Sequence, residues 1–268
     1  NVEYTSAALF MNNMKMITMG NSNFKNCNSS INDTIYIILK KDDDSSITSV
    51  YNCSFINCIA FSYVLHVVNG SVEIDSCSVM FDDDNTSCGG FIFLCKNLIA
   101  HNLSVIGTNS VGGLRYLQSI GGEKTVIDRC TFEKNFGLNT RCFHIVIDSH
   151  DFTFSNNVIK NLVETGNYGY SGGIYGRLLA SNHHFVLENI TFINNTCNSE
   201  YGGGIGIWIQ VVRSITFKKC SFIKNTALRS PYPRPHIYLD VDYYSGDGGG
   251  IHFGFSPSYC NVSISFIE

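Results

Sequence analysis

Charge is scarce in this sequence: Asp, Glu, Lys and Arg together make up 15% of 268 residues and leave a formal net charge of −4. No basic field exists to attract nucleic acid or an anionic lipid surface. No apolar run approaches the roughly 18 residues that a membrane-crossing helix needs, so no membrane span is expected. Amphipathic runs at i, i+3 and i+4 with helix caps are missing, which argues against a helical bundle. Only 4 prolines accompany 24 glycines, so glycine is used for turns rather than for a disordered linker. Cys-x-x-Cys, His-Glu-x-x-His, Gly-x-Ser-x-Gly and a Walker lysine are all absent, removing the usual signatures of zinc, metalloprotease, serine-hydrolase and phosphate-cradling sites. The 8 histidines show no metal spacing: His183 and His184 are adjacent on an expected strand, and His150-Asp151 reads as a turn. The chain starts at Asn1 without a signal-like segment and stops inside an expected strand, Ser263–Phe266, so it reads as a piece of a longer protein.

What is present is a recurring phrase. Asn189-Ile190-Thr191-Phe192-Ile193-Asn194-Asn195 returns as Cys220–Asn225, as Cys130–Asn135, as Phe152–Asn157 and, more loosely, as Cys53–Cys58. The residues that close the phrase are Phe24, Phe55, Val79, Val105, Phe132, Phe154, Phe192 and Phe222, about 28 residues apart on average. Between successive phrases lies a second strand signal, at 34–39, 63–68, 91–95, 114–117, 143–147, 174–179, 205–211 and 251–255. Paired glycines precede five of these, among them Gly173, Gly204 and Gly250 as second members. They suit a corner with positive φ or a crowded backbone.

Inside the phrase the period is two. Cys220 and Phe222 point one way and Ser221 the other, as a strand requires. Three residues after the closing residue come Cys27, Cys58, Asp82, Thr108, Asn135, Asn157, Asn195 and Asn225. A column of Asn at one repeat position fits a turn that stacks on itself and tolerates left-handed angles. A sandwich would need frequent Asn-Gly or Asp-Gly hairpins, whereas only Asn69-Gly70 and Asp247-Gly248 occur. The expectation is an all-β, single-stranded parallel β-helix over 1–268, with about nine coils of roughly 28 residues, forming a rod on the order of 40 Å long.

Repeated Phe-x-x-Asn (from Phe132, Phe154, Phe192 and Phe222), combined with Gly202-Gly203-Gly204-Ile205 and Gly248-Gly249-Gly250-Ile251, resembles the chlamydial polymorphic outer membrane proteins and similar repetitive surface proteins of parasitic protists. The match is best over 126–255 and carries Gly where that family has Ala. The resemblance implies a right-handed parallel β-helix, extracellular or at a cell surface, serving adhesion to a host or neighbouring-cell protein or glycan.

Parallel β-helices also carry pectin-lyase-type polysaccharide lyases and hydrolases, so an enzyme is the alternative, although the reading leans to a non-catalytic adhesin or display stalk. Such a site would group carboxylates with a basic residue or Ca²⁺. The triplets Asp42–Asp44 and Asp82–Asp84 fall at different corners of the coil and read as solvated loops. Asp82, Asp83 and Asp84, with Asn85 and Thr86 beside them, are the candidate calcium ligands, and no other cofactor is implied. The stretch 228–247 breaks the rhythm as an inserted surface loop and holds Tyr232, Arg234, His236, Tyr238, Asp240, Asp242, Tyr243 and Tyr244. It could seat a sugar or a protein partner, or merely cover the core. Of 11 cysteines, Cys53, Cys77, Cys130 and Cys220 occupy one repeat position and read as buried reduced thiols acting as small hydrophobes. Sequons at Asn28, Asn32, Asn52, Asn69, Asn85, Asn102, Asn189, Asn194 and Asn261 permit glycosylation at an exposed surface.

Overall fold

The computed structural model describes residues 9–29, 34–41, 43, 45–60, 64–80, 91–107, 117–133, 136–137, 143–161, 163–164, 174–178, 183–197, 205–209, 212–227, 251–255 and 263–267. They form an all-β solenoid, a parallel β-helix, with no helix among the described residues. Strands pair in parallel with their counterparts one coil before and one coil after. One coil runs through Ile35–Leu39, Ile47–Tyr51 and Ser54–Ile56, and the next through Leu65–Val68, Ser71–Asp75 and Ser78–Met80. In two later coils the first and second strands fuse into Leu117–Asp128 and Phe143–Ser155. The first and second strands together make a 16-stranded sheet, and the short third strands make an eight-stranded one.

Among the described residues, eight coils are closed by a third strand, from Asn23–Lys25 to Ser221–Ile223. Ile251–Phe255 and Ser263–Ile267 then add a first and a second strand only. The expected nine coils are corrected to eight closed ones, because Leu9–Met14 and Met16–Gly20 belong to the same coil as Phe24.

Phe55, Phe132, Phe192 and Phe222 stand in the third-strand sheet, whereas Phe154 does not. Phe132 pairs with Ile159, and Ile159 with Phe192, whereas Phe154 lies in the second-strand sheet between Ile127 and Leu187. With Ile159 in place, the irregular steps around Phe154 even out. The confusion has a physical source. Both the second and the third strand end with an inward apolar residue, one outward residue, a left-handed residue and another inward residue, so Phe154–Asn157 and Phe192–Asn195 obey one local rule at two different corners. His150-Asp151 is likewise not a turn but part of the strand Phe143–Ser155.

Numbering each coil from the inward residue of its third strand as position 0, the left-handed non-glycine residues other than Asn13 and Asn69 fill two columns. At −3 stand Asn21, Asn52, Ser76, Asn102, Arg129, Asn156, Asn189 and Lys219, and at +2 stand Asn26, Asn57, Asn161, Asn194 and Lys224, all with φ of 50–54° or 57°. Asn is the residue that enters this region most readily after Gly. The expected left-handed column at +3 thus stands one residue earlier, at +2. The positive-φ glycine of the described residues is Gly70, at φ 59°, and Gly173, Gly204 and Gly250 lie outside them.

Between the corners the interior fills with aromatic and branched side chains. Phe24 stacks on Phe55 at 5.1 Å and Phe192 on Phe222 at 4.8 Å between centroids. Where the third-strand column narrows to Val79 and Val105, the first strands supply Phe91 and Phe93, and Phe91 meets Phe55 edge-on at 5.6 Å. Each such ring contributes about 1.5–3 kcal/mol by leaving water. The stack of coils, rather than any single coil, is the cooperative unit.

Candidate functional site

A left-handed corner turns the next backbone N–H into the core, where it needs an acceptor. Where the residue after the corner in the following coil is Asn or Cys, its side chain supplies it; Leu103 and Ile190, apolar at the same position, do not. Asn157, 1% exposed, accepts from the Cys130 N–H through Oδ1 at 2.8 Å and donates through Nδ2 to the Ile127 carbonyl at 3.0 Å. Cys130 itself accepts from the Leu103 N–H, and its thiol lies 3.3 Å from the Asp128 carbonyl and 3.7 Å from the Ala100 carbonyl of the preceding coil. Cys77 relates to the Cys53 N–H and the Val50 carbonyl in the same way. At the other corner Asn195 donates to the Ile159 carbonyl, Asn225 to the Phe192 carbonyl, and the Cys58 thiol to the Phe24 carbonyl. The repeat cysteines are therefore corner hydrogen-bonders as well as small hydrophobes, and Asn substitutes for Cys position by position. Burial pushes Cys58, Cys95 and Cys130 up to about 12 and Cys77 to about 11. Thiols held there are protonated at neutral pH and are not nucleophiles. The described cysteines Cys27, Cys53, Cys58, Cys77, Cys95, Cys130 and Cys220 are unpaired by disulfides.

The outward side of the second strands carries the polar chemistry. At position −4 a vertical column runs Gly20, Tyr51, Asp75, His101, Asp128, Ser155, Glu188 and Lys218, each in register with the next. Tyr51 is 40% exposed, and its ring lies where a Cβ on Gly20 would be, 2.1 Å from the nearest ring atom. Asp75 Oδ1 accepts from Asn102 Nδ2 at 2.7 Å and from Ser76 Oγ at 3.3 Å. Asp128 Oδ1 accepts from Asn156 Nδ2 at 2.7 Å and Ser155 Oγ at 2.8 Å, while Oδ2 faces Arg129 Nε at 3.2 Å. His101 Nδ1 stands 3.5 Å from the same Oδ2 without forming a hydrogen bond. Burial works to raise the Asp128 carboxyl, but hydrogen bonds from Asn156 and Ser155, with Arg129 and His101 close by, outweigh it and hold the carboxyl below its usual range. Glu188 closes the column with Lys218 Nζ at 2.7 Å.

The residues singled out from sequence fare unevenly. Asp82, Asp83, Asp84, Asn135 and the whole loop from Tyr232 to Tyr244 lie outside the described residues. Of the other triplet, Asp43 is described, and its Oδ1 accepts from the Ser45 hydroxyl and N–H, the hydroxyl first in lowering its carboxyl below the usual range, as in an ordinary capped turn. Among the described residues no group of three His, Cys, Asp or Glu could hold a metal ion, and no helix is long and apolar enough to cross a membrane. The Tyr51–Asp75–His101–Asp128 column went unread in the sequence, although counting four residues back from Phe55, Val79, Val105 and Phe132 finds it. No family model, curated protein or solved structure matches the chain.

Proposed function

We propose that the chain is a non-catalytic β-helical scaffold, extracellular or at a cell surface, that acts in adhesion or display toward a protein or glycan of a host or neighbouring cell. The observation that carries this reading is the division of labour across each strand. Inward positions are committed to packing and corner hydrogen bonds, while outward positions form straight columns at one side chain per coil. Such a rod holds contacts at fixed intervals without loops to order, which lowers the entropic cost of engaging an extended partner. The test immobilises the whole chain, measures capture of cells and glycans, and watches the glycans for shortened products. Capture without shortening is expected, and absence of capture on every surface and glycan tried overturns the reading.

A polysaccharide-cleaving enzyme of the pectin-lyase type is the second reading, favoured by Asp75 and Asp128 on either side of His101. A general acid in such a pair needs a raised carboxyl, and Asp128 is shifted the other way. Release of short products, abolished by Asp128→Asn, would establish the enzyme instead.

A further inference from the structure

We infer that the strip Tyr51–Asp75–His101–Asp128 docks an extended, uncharged, β-linked polysaccharide, one sugar to each coil; this rests on the adhesion reading and names its ligand and its site. The first argument is period. Neighbouring members of the column are one coil apart, about 4.8 Å, close to the advance of one sugar along an extended β-linked glycan. An extended peptide advances about 3.3 Å per residue and falls out of step with the column after one coil. A periodic site selects a ligand of the same period.

The second argument is chemistry. Tyr51 offers an exposed aromatic body held against Gly20, a surface on which the apolar face of a sugar ring can lie. Asp75 has one oxygen fixed by Asn102 and Ser76, which orients the carboxylate and leaves Oδ2 to accept from a sugar hydroxyl. His101 follows, its side chain 33% exposed. At the next outward position along the same strands stand Ser49, exposed Glu73, and half-buried Ile99 and Val126, so the margin is apolar beside His101 and Asp128. The carboxylates disfavour an acidic polysaccharide and a phosphate backbone alike.

Access is the third argument. The strip is bordered by the single-residue corners at Asn52, Ser76, Asn102 and Arg129, and all four are exposed. No connecting loop rises on that side between the second and third strands, which are only three residues apart in each of these coils.

The experiment is calorimetric titration of the whole chain with β-1,4-linked glucose and N-acetylglucosamine oligomers of two to seven units. Affinity should climb with each added sugar up to four and then level off, because the strip has four rungs. Tyr51→Ala and Asp75→Ala should each lower the affinity for the four-unit oligomer at least tenfold, while Lys160→Ala, outward on a different sheet, leaves it unchanged. Asp75→Ala guards against a Tyr51 effect that comes only from uncovering Gly20. Affinity independent of length, unchanged in both strip variants, or too weak to detect with every oligomer overturns the strip. Cell capture that survives in Tyr51→Ala and Asp75→Ala then keeps the adhesion reading and moves its contact elsewhere, whereas loss of capture by the unaltered chain removes both.

Discussion

Asn157 is the position at which the corner rule can be tested most sharply. It is 1% exposed, and its amide serves two backbone groups of the preceding coil, the Cys130 N–H at 2.8 Å and the Ile127 carbonyl at 3.0 Å. Asn157→Ala leaves that N–H buried with no acceptor. An orphaned buried donor costs about 1–3 kcal/mol, and the small cavity adds about 1 kcal/mol, so a loss of about 2–4 kcal/mol is expected. Asn157→Cys places a thiol where Cys77 and Cys130 already stand, able to accept the N–H and donate to the carbonyl, and should cost less than about 1 kcal/mol. Denaturant midpoints at unchanged slope give the global difference. Amide hydrogen exchange at Cys130 gives the local one: it should accelerate about thirtyfold or more in Asn157→Ala and stay within a few-fold of wild type in Asn157→Cys. If Ala and Cys destabilise equally and exchange at Cys130 is the same in both, the N–H does not depend on the side chain beneath it, and the corner rule fails.

Gly70→Ala should cost about 2–4 kcal/mol by thermal or denaturant melting, because Gly70 sits at φ 59° and a Cβ there would stand 2.6 Å from the Ser46 carbonyl oxygen. The folded carboxyl of Asp128 is held below its unfolded value, so its stabilising contribution is complete above about pH 4 and is lost as pH falls through the folded value. Melting temperatures of Asp128→Asn should accordingly converge on wild type under acid and fall below it near neutrality; equal melting at both pH values would refute this. Cys58, Cys95 and Cys130, pushed up to about 12 by burial, should resist iodoacetamide in the folded chain at mildly alkaline pH and react fully once denatured, as read by mass spectrometry.

Much of the fold was legible because a strand has a rigid period. Cys-Ser-Phe at 53–55 and Cys-Thr-Phe at 130–132 announce which side faces in, and burial of Cys53, Phe55, Cys130 and Phe132 follows. The strand signals between phrases at 34–39, 174–179 and 251–255 likewise became first strands, Ile35–Leu39, Ile174–Leu178 and Ile251–Phe255. Register was harder, since one corner rule serves two corners: Phe154 reads locally like Phe192, and only pairing across coils separates them. The outward strip was harder still. Tyr51, Asp75, His101 and Asp128 are 24–27 residues apart in sequence, and nothing in their neighbours marks them as a set. They become one surface only when the spacing of successive coils is known, because a column is a property of the stack and not of any coil.

The same rule bears on the sequons. Asn52, Asn69, Asn102, Asn189 and Asn194 all have positive φ. In Asn52-Cys53-Ser54, Asn102-Leu103-Ser104 and Asn189-Ile190-Thr191 the three residues are the left-handed corner, the inward corner residue and the first outward residue of the third strand. A coil that wants Asn at the corner and a hydroxyl on the outer face writes Asn-x-Ser/Thr without reference to any glycan. The amides are also in use: Nδ2 of Asn52 donates to Asn21, that of Asn69 to the Leu39 carbonyl, that of Asn102 to Asp75, that of Asn189 to Asn156 and that of Asn194 to Asn161, at 2.7–3.3 Å. A glycan on any of them would replace one of the hydrogens on that nitrogen and stand against the neighbouring rung. Coil geometry thus accounts for the sequons at Asn52, Asn102, Asn189 and Asn194 without any glycan.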